Sequence, residues 1–362
     1  MRWGLMIYGS LDLVTGGFIY DRLLVDYCRR QGDRVEVISL PWQSYGLCLG
    51  HNFQPGLARR LRPEAGDILV QDELAHPSLF WLNRRLRRRV SCPIISLVHL
   101  LRSSEVRPAW QNRLYRWVER AYLRSVDGFI CISRHTRRLV EEAAGAGRPT
   151  VIAYPAGDRL GGLSEAEIIA KVAAPGPRQI LYLGAVIPRK GLDILLRALA
   201  ALPGAAWQLT VVGSLEAEPV YARRVCRLIS RLGLSSRLRL TGVLHGPDLA
   251  AVLRHSHILA VPSSLEGLAL VYLEGMSFGL VPLAAAQGAA GEVITPGRDG
   301  FLIPPGDVTA LSQALEALLT DPERLLAMSL AARERISRHP TWEETGAAIR
   351  EFLLRMAARG QP

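Results

Sequence analysis

Short apolar runs alternate with longer amphipathic stretches along the whole chain. In the first half the runs are "RWGLMIYG", "DRVEVISLP", "DILVQDE", "CPIISLVHL" and "VDGFICIS"; in the second they are "RQILYLG", "WQLTVVG", "RLRLTGV", "HILAVPSS" and "LVPLAAA". Their length and β-branched content predict strands, while "FIYDRLLVDYCRRQG" and "QNRLYRWVERAYLRS" repeat their apolar positions at helical spacing. Strands alternating with helices predict an α/β protein with two Rossmann-like, doubly wound parallel-sheet domains facing a central cleft. The expected domains are 1–160 and 175–340, with a helix at about 341–362 packing back onto the first. The Gly-, Ala- and Pro-rich "PAGDRLGGLSEAEIIAKVAAPGPRQ" between them reads as a linker.

At 362 residues the chain suits two domains rather than one core. No apolar run is long enough to span a bilayer, and the opening "MRWGLMIYGS" lacks the features of a secretion signal. Five scattered cysteines, none in a C-x-x-C pair, point away from a disulfide framework or zinc site and toward a reducing cytoplasm. Of the net charge of +11, residues 1–150 carry +9 from 23 arginines against 14 acids. The only lysines are Lys171 and Lys190, which singles both out in a chain whose other cations are arginine.

The stretch "PSSLEGLALVYLEGMSFG" (262–279) carries the most specific chemistry. Glu266 precedes a helix expected to start near Leu268 to Leu270, and Glu274 lies within it. On a continuous helix eight residues would separate the two carboxylates by roughly 12 Å and about 80° of rotation. They cannot share one proton or one metal, but they can hold two ends of an elongated ligand. The backbone N–H groups of Gly267, Leu268, Ala269 and Leu270 at the helix start offer an anion site between them. A nucleotide-diphosphate sugar, with hydroxyls at both ends and phosphates in the middle, fits. The plainer alternative makes both acids solvated. Glu274, however, sits among apolar residues, where a carboxylate needs a ligand or a buried partner.

Further residues extend the pattern. In "ILYLGAVIPRKGLDILLRAL" a strand ends at Gly184, and Arg189 and Lys190 stand at the mouth of a helix, where cations can face phosphate. Gly16 and Gly17 follow the first strand and allow close backbone approach to an anion. His99 ends the strand "CPIISLVH", where a satisfied structural histidine is the alternative. The chain has neither G-x-G-x-x-G nor a P-loop, which removes nicotinamide-dehydrogenase and P-loop ATPase readings. It has no D-x-D, so no metal ligand is assigned and no cofactor is expected.

Together these motifs, with "VIAYPAGD" and "GEVITPGRDGFLIPPGD", resemble the retaining glycosyltransferases of family 4, which have the GT-B fold. The resemblance implies that Glu266 contacts the donor sugar hydroxyls and Glu274 the ribose. It also places Lys190, the amides after Glu266 and the Gly16-Gly17 loop on the diphosphate, and His99 near the reacting sugar. It further implies a donor-binding second domain, an acceptor-side first domain and transfer from a nucleotide-diphosphate sugar to a hydroxyl with retention. The sequence departs from the family pattern at Ala185, where an arginine is usual and for which Arg189 can substitute. Leu268 and Ala269 replace the usual aromatic-glycine. A sugar-nucleotide epimerase or phosphorylase of the same fold is the nearer alternative.

The basic first half allows two further readings. Arg113, Arg116, Arg120 and Arg124 share one helical face; a nucleic-acid binder is the remote alternative, and a solvated surface with no nucleic-acid partner is the expectation. "LFWLNRRLRRRV" (79–90) and "RRLR" (59–62) could meet an anionic membrane from the cytoplasmic side, in keeping with a lipid or lipid-linked acceptor. Alternatively, Phe80, Trp81 and Leu86 pack inward and only the arginines meet water.

Overall fold

In the computed structural model, residues 1–13, 15–54, 57, 68–88, 91–267 and 270–360 are described. The chain divides into two compact units, one of Met1–Pro155 with Trp342–Pro362 and one of Ala156–Thr341.

The first unit is built on a six-stranded parallel sheet in the order β2-β1-β3-β4-β5-β6. Its strands are β1 (Arg2–Tyr8), β2 (Arg34–Leu40), β3 (Ile68–Asp72), β4 (Ile94–Val98), β5 (Gly128–Cys131) and β6 (Thr150–Ile152). The second unit repeats the plan with β7 (Arg178–Leu183), β8 (Trp207–Val212), β9 (Leu238–Gly242), β10 (Ile258–Val261), β11 (Val281–Ala285) and β12 (Phe301–Ile303). Its strand order is β12-β11-β10-β7-β8-β9, and every pairing in both sheets is parallel. The central strands β3, β4, β10 and β11 are buried at every position, as expected of strands covered on both faces by helices. All ten strands expected from the sequence form. The two it lacked, β6 and β12, are three-residue edge strands whose pattern was too short to register.

The C-terminal helix Trp342–Gly360 belongs to the first unit. Arg350 makes a two-pronged contact with the buried Asp33, at 2.7 and 3.1 Å, and Thr345 donates to the Tyr154 carbonyl at 2.7 Å. Gly346 lies against the Tyr27 ring, leaving no room for a Cβ.

The stretch expected to be a linker is instead part of the second unit. Ser164 and Glu167 form a reciprocal capping box that starts helix Glu165–Ala173, a signal already present in the sequence S-E-A-E. Lys171 on this helix donates to the Ser256 and Phe278 carbonyls at 2.8 and 2.7 Å. One of the two singled-out lysines is thus a structural tie.

Burial, with Arg254 adding repulsion, lowers the Lys171 ammonium to about 7. Its unfolded value is roughly 10.4. Between these values the unfolded chain binds the extra proton, so the stability of this unit should rise with pH across that window. The rise should shrink in Lys171→Met, measured as denaturation midpoints at a series of pH values. An unchanged pH dependence in the variant would show that Lys171 does not carry it.

Candidate functional site

In the second unit, β10 ends at Val261 and the chain turns through Pro262 and Ser263 to Glu266. Glu266 forms an isolated parallel bridge with Gly288, and its carbonyl accepts from the Ala289 N–H at 3.1 Å. Gly288 has φ of 95°, and a Cβ there would collide with the Glu266 carbonyl, so only glycine lets the two segments meet. This bridge fixes the backbone from which the Glu266 side chain projects.

That side chain is 6 % exposed and surrounded by donors. Its Oε1 accepts from Lys190 Nζ at 2.6 Å and Ser263 Oγ at 2.6 Å, with Arg189 Nη1 3.3 Å away. Burial alone would raise its pKa, but Lys190, then Arg189, and the Ser263 hydroxyl hold it below the ordinary range. Burial lowers Lys190, and Glu266 opposes that shift. The cations are delivered by the turn Pro188–Lys190 after β7. Gly191 follows at φ 68°, close under the Pro262 carbonyl, and opens helix Leu192–Ala200. Arg189 also donates to the Leu265 carbonyl at 2.8 Å, which holds its guanidinium beside the acid. The Lys190 stem lies beside Gly184.

Glu274 lies on helix Leu270–Ser277 and is 2 % exposed. The buried partner that its setting demanded is Arg159, whose Nε donates to Oε1 at 2.9 Å while Nη2 reaches the same oxygen at 2.5 Å. Burial raises the Glu274 pKa and Arg159 opposes it. Arg159 sits in the turn Asp158–Leu160, inside the stretch read from sequence as a linker, so sequence reasoning missed it. The structure brings Glu266, Lys190, Arg189 and Gly184 together and gives Glu274 a separate cation. Leu268 and Ala269 lie outside the described residues; Gly267 and Leu270 flank them.

In the first unit, helix Gly16–Arg30 starts at the Gly16-Gly17 pair. A Cβ on Gly17 would stand 3.4 Å from the His99 ring, the close approach that the glycine permits. His99 Nε2 lies 3.1 Å from Asp21 Oδ1, and the Tyr20 ring meets the imidazole edge-on at 5.3 Å. Burial would lower the His99 pKa, but Asp21, with Asp72 and Glu73, raises it to about 9. His99 is therefore an imidazolium at neutral pH. Asp72 is pushed up to about 8 by burial and by Asp21, and Glu73 to about 8 by burial.

Beyond these lies a buried cluster absent from the sequence reading, in which His76 Nδ1 is 3.0 Å from Glu73 Oε1 and Glu119 accepts from the Ser103 N–H. Burial raises Glu119 to about 7 and lowers His76 to about 4. Two triplets, Asp21–Asp72–His99 and Glu73–His76–Glu119, each place their ligand atoms within 4.8 Å of one another and could hold a cation. The missed acids had a readable signal. Asp72 ends the strand Ile68–Asp72 and Glu73 follows it directly, so two acids stand together where an apolar run stops.

Two all-parallel six-stranded sheets in separate units define a GT-B architecture. In structural comparison, sucrose-phosphate synthase (tll1590) from Thermosynechococcus elongatus superposes with a TM-score of 0.82 at 20% identity, over 99% of both chains. Anabaena Alr3699/HepE in complex with UDP and glucose gives 0.79 at 20% identity, covering 98% of this chain and 100% of that one. The family model "Glycosyl transferase 4-like domain" matches residues 13–157 and "Glycosyl transferases group 1" matches residues 164–335. The chain belongs to the family 4 type of GT-B glycosyltransferases.

Among curated relatives it is 31% identical over 185 residues to a GDP-mannose-dependent alpha-(1-6)-phosphatidylinositol monomannoside mannosyltransferase of Mycolicibacterium smegmatis, covering 48% of this chain and 47% of that one. It is 27% identical over 315 residues to a D-inositol 3-phosphate glycosyltransferase of Nocardia farcinica, covering 82% and 69%. The chain thus spans about half the length of the first of these relatives and about two thirds of the second.

Two outcomes follow from this geometry. Arg159→Met strands a buried carboxylate and should destabilise the chain by about 3 kcal/mol in denaturant titration. Adding Glu274→Gln should recover much of that loss; equal destabilisation in the single and double variants would show that the ion pair is not the cause. For His99, the ring proton signals in NMR should titrate near pH 9, and Asp21→Asn should lower that midpoint. The stability contributed by the charged ring is complete below its unfolded pKa of about 6.5 and is lost as pH rises through the folded value. A midpoint near 6.5 in the parent protein would remove Asp21 from this role.

Proposed function

We propose that the chain is a hexosyltransferase, moving a sugar from a nucleotide-diphosphate sugar to an acceptor hydroxyl with retention of anomeric configuration and without a metal. The observation that supports this best is the buried ionic group Glu266–Lys190–Arg189. It keeps two cations charged beside the start of a helix, ready to receive a diphosphate while leaving a carboxylate for sugar hydroxyls. In this reading the bond between the anomeric carbon and the diphosphate oxygen breaks, and its electron pair leaves with the nucleoside diphosphate. Lys190 and Arg189 offset the developing charge. The acceptor oxygen bonds to the anomeric carbon on the same face, and its proton passes to the departing phosphate. The backbone after Glu266 assists at the phosphates, and Glu274, steadied by Arg159, receives the ribose.

The acceptor is a glycan, a lipid or a lipid-linked intermediate. The mycolicibacterial relative is a phosphatidylinositol monomannoside mannosyltransferase, and the nocardial one a D-inositol 3-phosphate glycosyltransferase. Among the described residues no helix is long and apolar enough to cross a membrane. In this reading the chain works in the cytoplasm and reaches a lipid acceptor from the membrane surface.

A panel of nucleoside diphosphates and nucleotide sugars in a thermal-shift assay tests the donor reading. A ligand at a hundred times its dissociation constant adds about 2.7 kcal/mol of stability. Glu274→Gln should weaken nucleotide binding by about 1–3 kcal/mol, while Glu266→Gln should lower turnover more than diphosphate affinity. Lys190→Ala should reduce turnover strongly, and EDTA should leave it unchanged. Loss of activity on chelation, restored by magnesium or manganese, would overturn the metal-free step and direct attention to the two triplets in the first unit.

A further inference from the structure

The basic segment 79–90 is only in small part the surface its sequence suggested. Leu79, Phe80, Leu82 and Leu86 are buried in the core of the first unit, so among its described large apolar side chains only Trp81 faces water; Arg89 and Val90 lie outside the described residues, as does the 59–62 arginine cluster. Inward packing governs most of this segment.

A different element carries the apolar surface. Helix Ala109–Leu123 buries Tyr115, Val118, Glu119, Tyr122 and Leu123 on one face. On the opposite face Trp110, Leu114 and Trp117 are 71 %, 40 % and 61 % exposed, spaced to form one outward stripe. Ring contacts continue it: Trp117 meets Phe80 at 5.7 Å, and the adjacent Trp81 meets the exposed Phe53 at 5.7 Å.

The charge around this stripe is of one sign. Arg113, Arg116, Arg120 and Arg124 are exposed along the helix, and Arg84, Arg85 and Arg88 are exposed beside Trp81. The helix has a single carboxylate, Glu119, and it is turned inward and bonded to the Ser103 N–H at 3.0 Å. The arginines that do pair nearby are others, Arg87 with Asp127 and Arg107 with Glu105.

We propose that this face is an interfacial docking surface for an anionic phospholipid bilayer. The ring systems of Trp110 and Trp117 enter the headgroup boundary with Leu114 between them, and the flanking arginines meet lipid phosphates. A second copy of the same face would bring like charges together. For a nucleic acid, Leu114 at the centre of the stripe offers no stacking plane. The inference deepens the membrane part of the proposed function and names its element. No donor enters its test, so its failure leaves the transfer reaction untouched.

The test is co-sedimentation of the full chain with vesicles of phosphatidylcholine alone and with added phosphatidylglycerol, at low and high salt. Binding is expected only to the anionic vesicles and should weaken as salt rises. Arg113→Gln, Arg116→Gln and Arg120→Gln should each weaken partitioning about five-fold. Trp110→Ser with Trp117→Ser should abolish quenching of tryptophan fluorescence by brominated lipid. All these positions are exposed, so unchanged circular dichroism should accompany the losses. Equal recovery with neutral and anionic vesicles would overturn the proposal, as would variants that bind like the parent. Sedimentation velocity showing a dimer dispersed by Trp117→Ser, or RNA binding without vesicle binding, would assign the face to another partner and sink it.

Discussion

A carboxylate removed from water must be matched by a cation or accept a proton, and this constraint shapes both units. Glu266 takes the first course. Lys190 and Arg189 reach it from a single three-residue turn, and Ser263 adds a hydroxyl. Much of the local backbone serves that meeting. The Gly288 bridge fixes the Glu266 segment, and Gly191 lets the turn carrying the cations pass beneath Pro262. Removing either partner would leave the other buried and uncompensated, a larger penalty than the pair's own net contribution. Such a group is held ready to exchange partners.

The first unit contains the opposite solution. Asp21, Asp72, Glu73 and Glu119 are all buried, with His99 and His76 as their nearest titratable bases. Burial, with neighbouring acids adding repulsion, pushes Asp72, Glu73 and Glu119 toward protonation, while Asp21 holds His99 well above its ordinary value. Burial, with Arg102 adding repulsion, drives His76 the other way, down to about 4, against the opposing pull of Glu119. His99 stands against Asp21 with Asp72 close by, whereas His76 Nδ1 faces both the carbonyl and the carboxylate of Glu73 and Nε2 meets the Tyr45 hydroxyl.

The same constraint explains what could be read in the sequence. The parallel sheets were legible because their central strands, buried on both faces, are apolar runs that recur between helical patterns. Glu274 was legible as an acid needing a partner because its neighbours are apolar. The identity of the partner was not, since Arg159 is 115 residues away and the pairing exists only after folding. The capping box of helix Glu165–Ala173 was present in the letters but was outweighed by the surrounding Gly, Ala and Pro. The buried acids of the first unit went unread because Asp21 and Glu119 lie in amphipathic helices whose other charges are solvated.

Lys171 and Lys190 show how far residue choice can be carried toward role. Both are half-buried, and both have pKa values lowered by that burial. Lys171 meets only carbonyl oxygens, which carry no charge to hold its proton, and it drops to about 7. Lys190 meets a carboxylate that supports its charge. A compact ammonium on a flexible stem suits both places better than a planar guanidinium, which must satisfy five N–H groups in a fixed fork. Where the cation lies open to water the chain uses arginine instead, as along helix Ala109–Leu123. Scarcity of lysine thus marks confined sites, and the partner's charge decides whether the site is a structural tie or a reserve of positive charge.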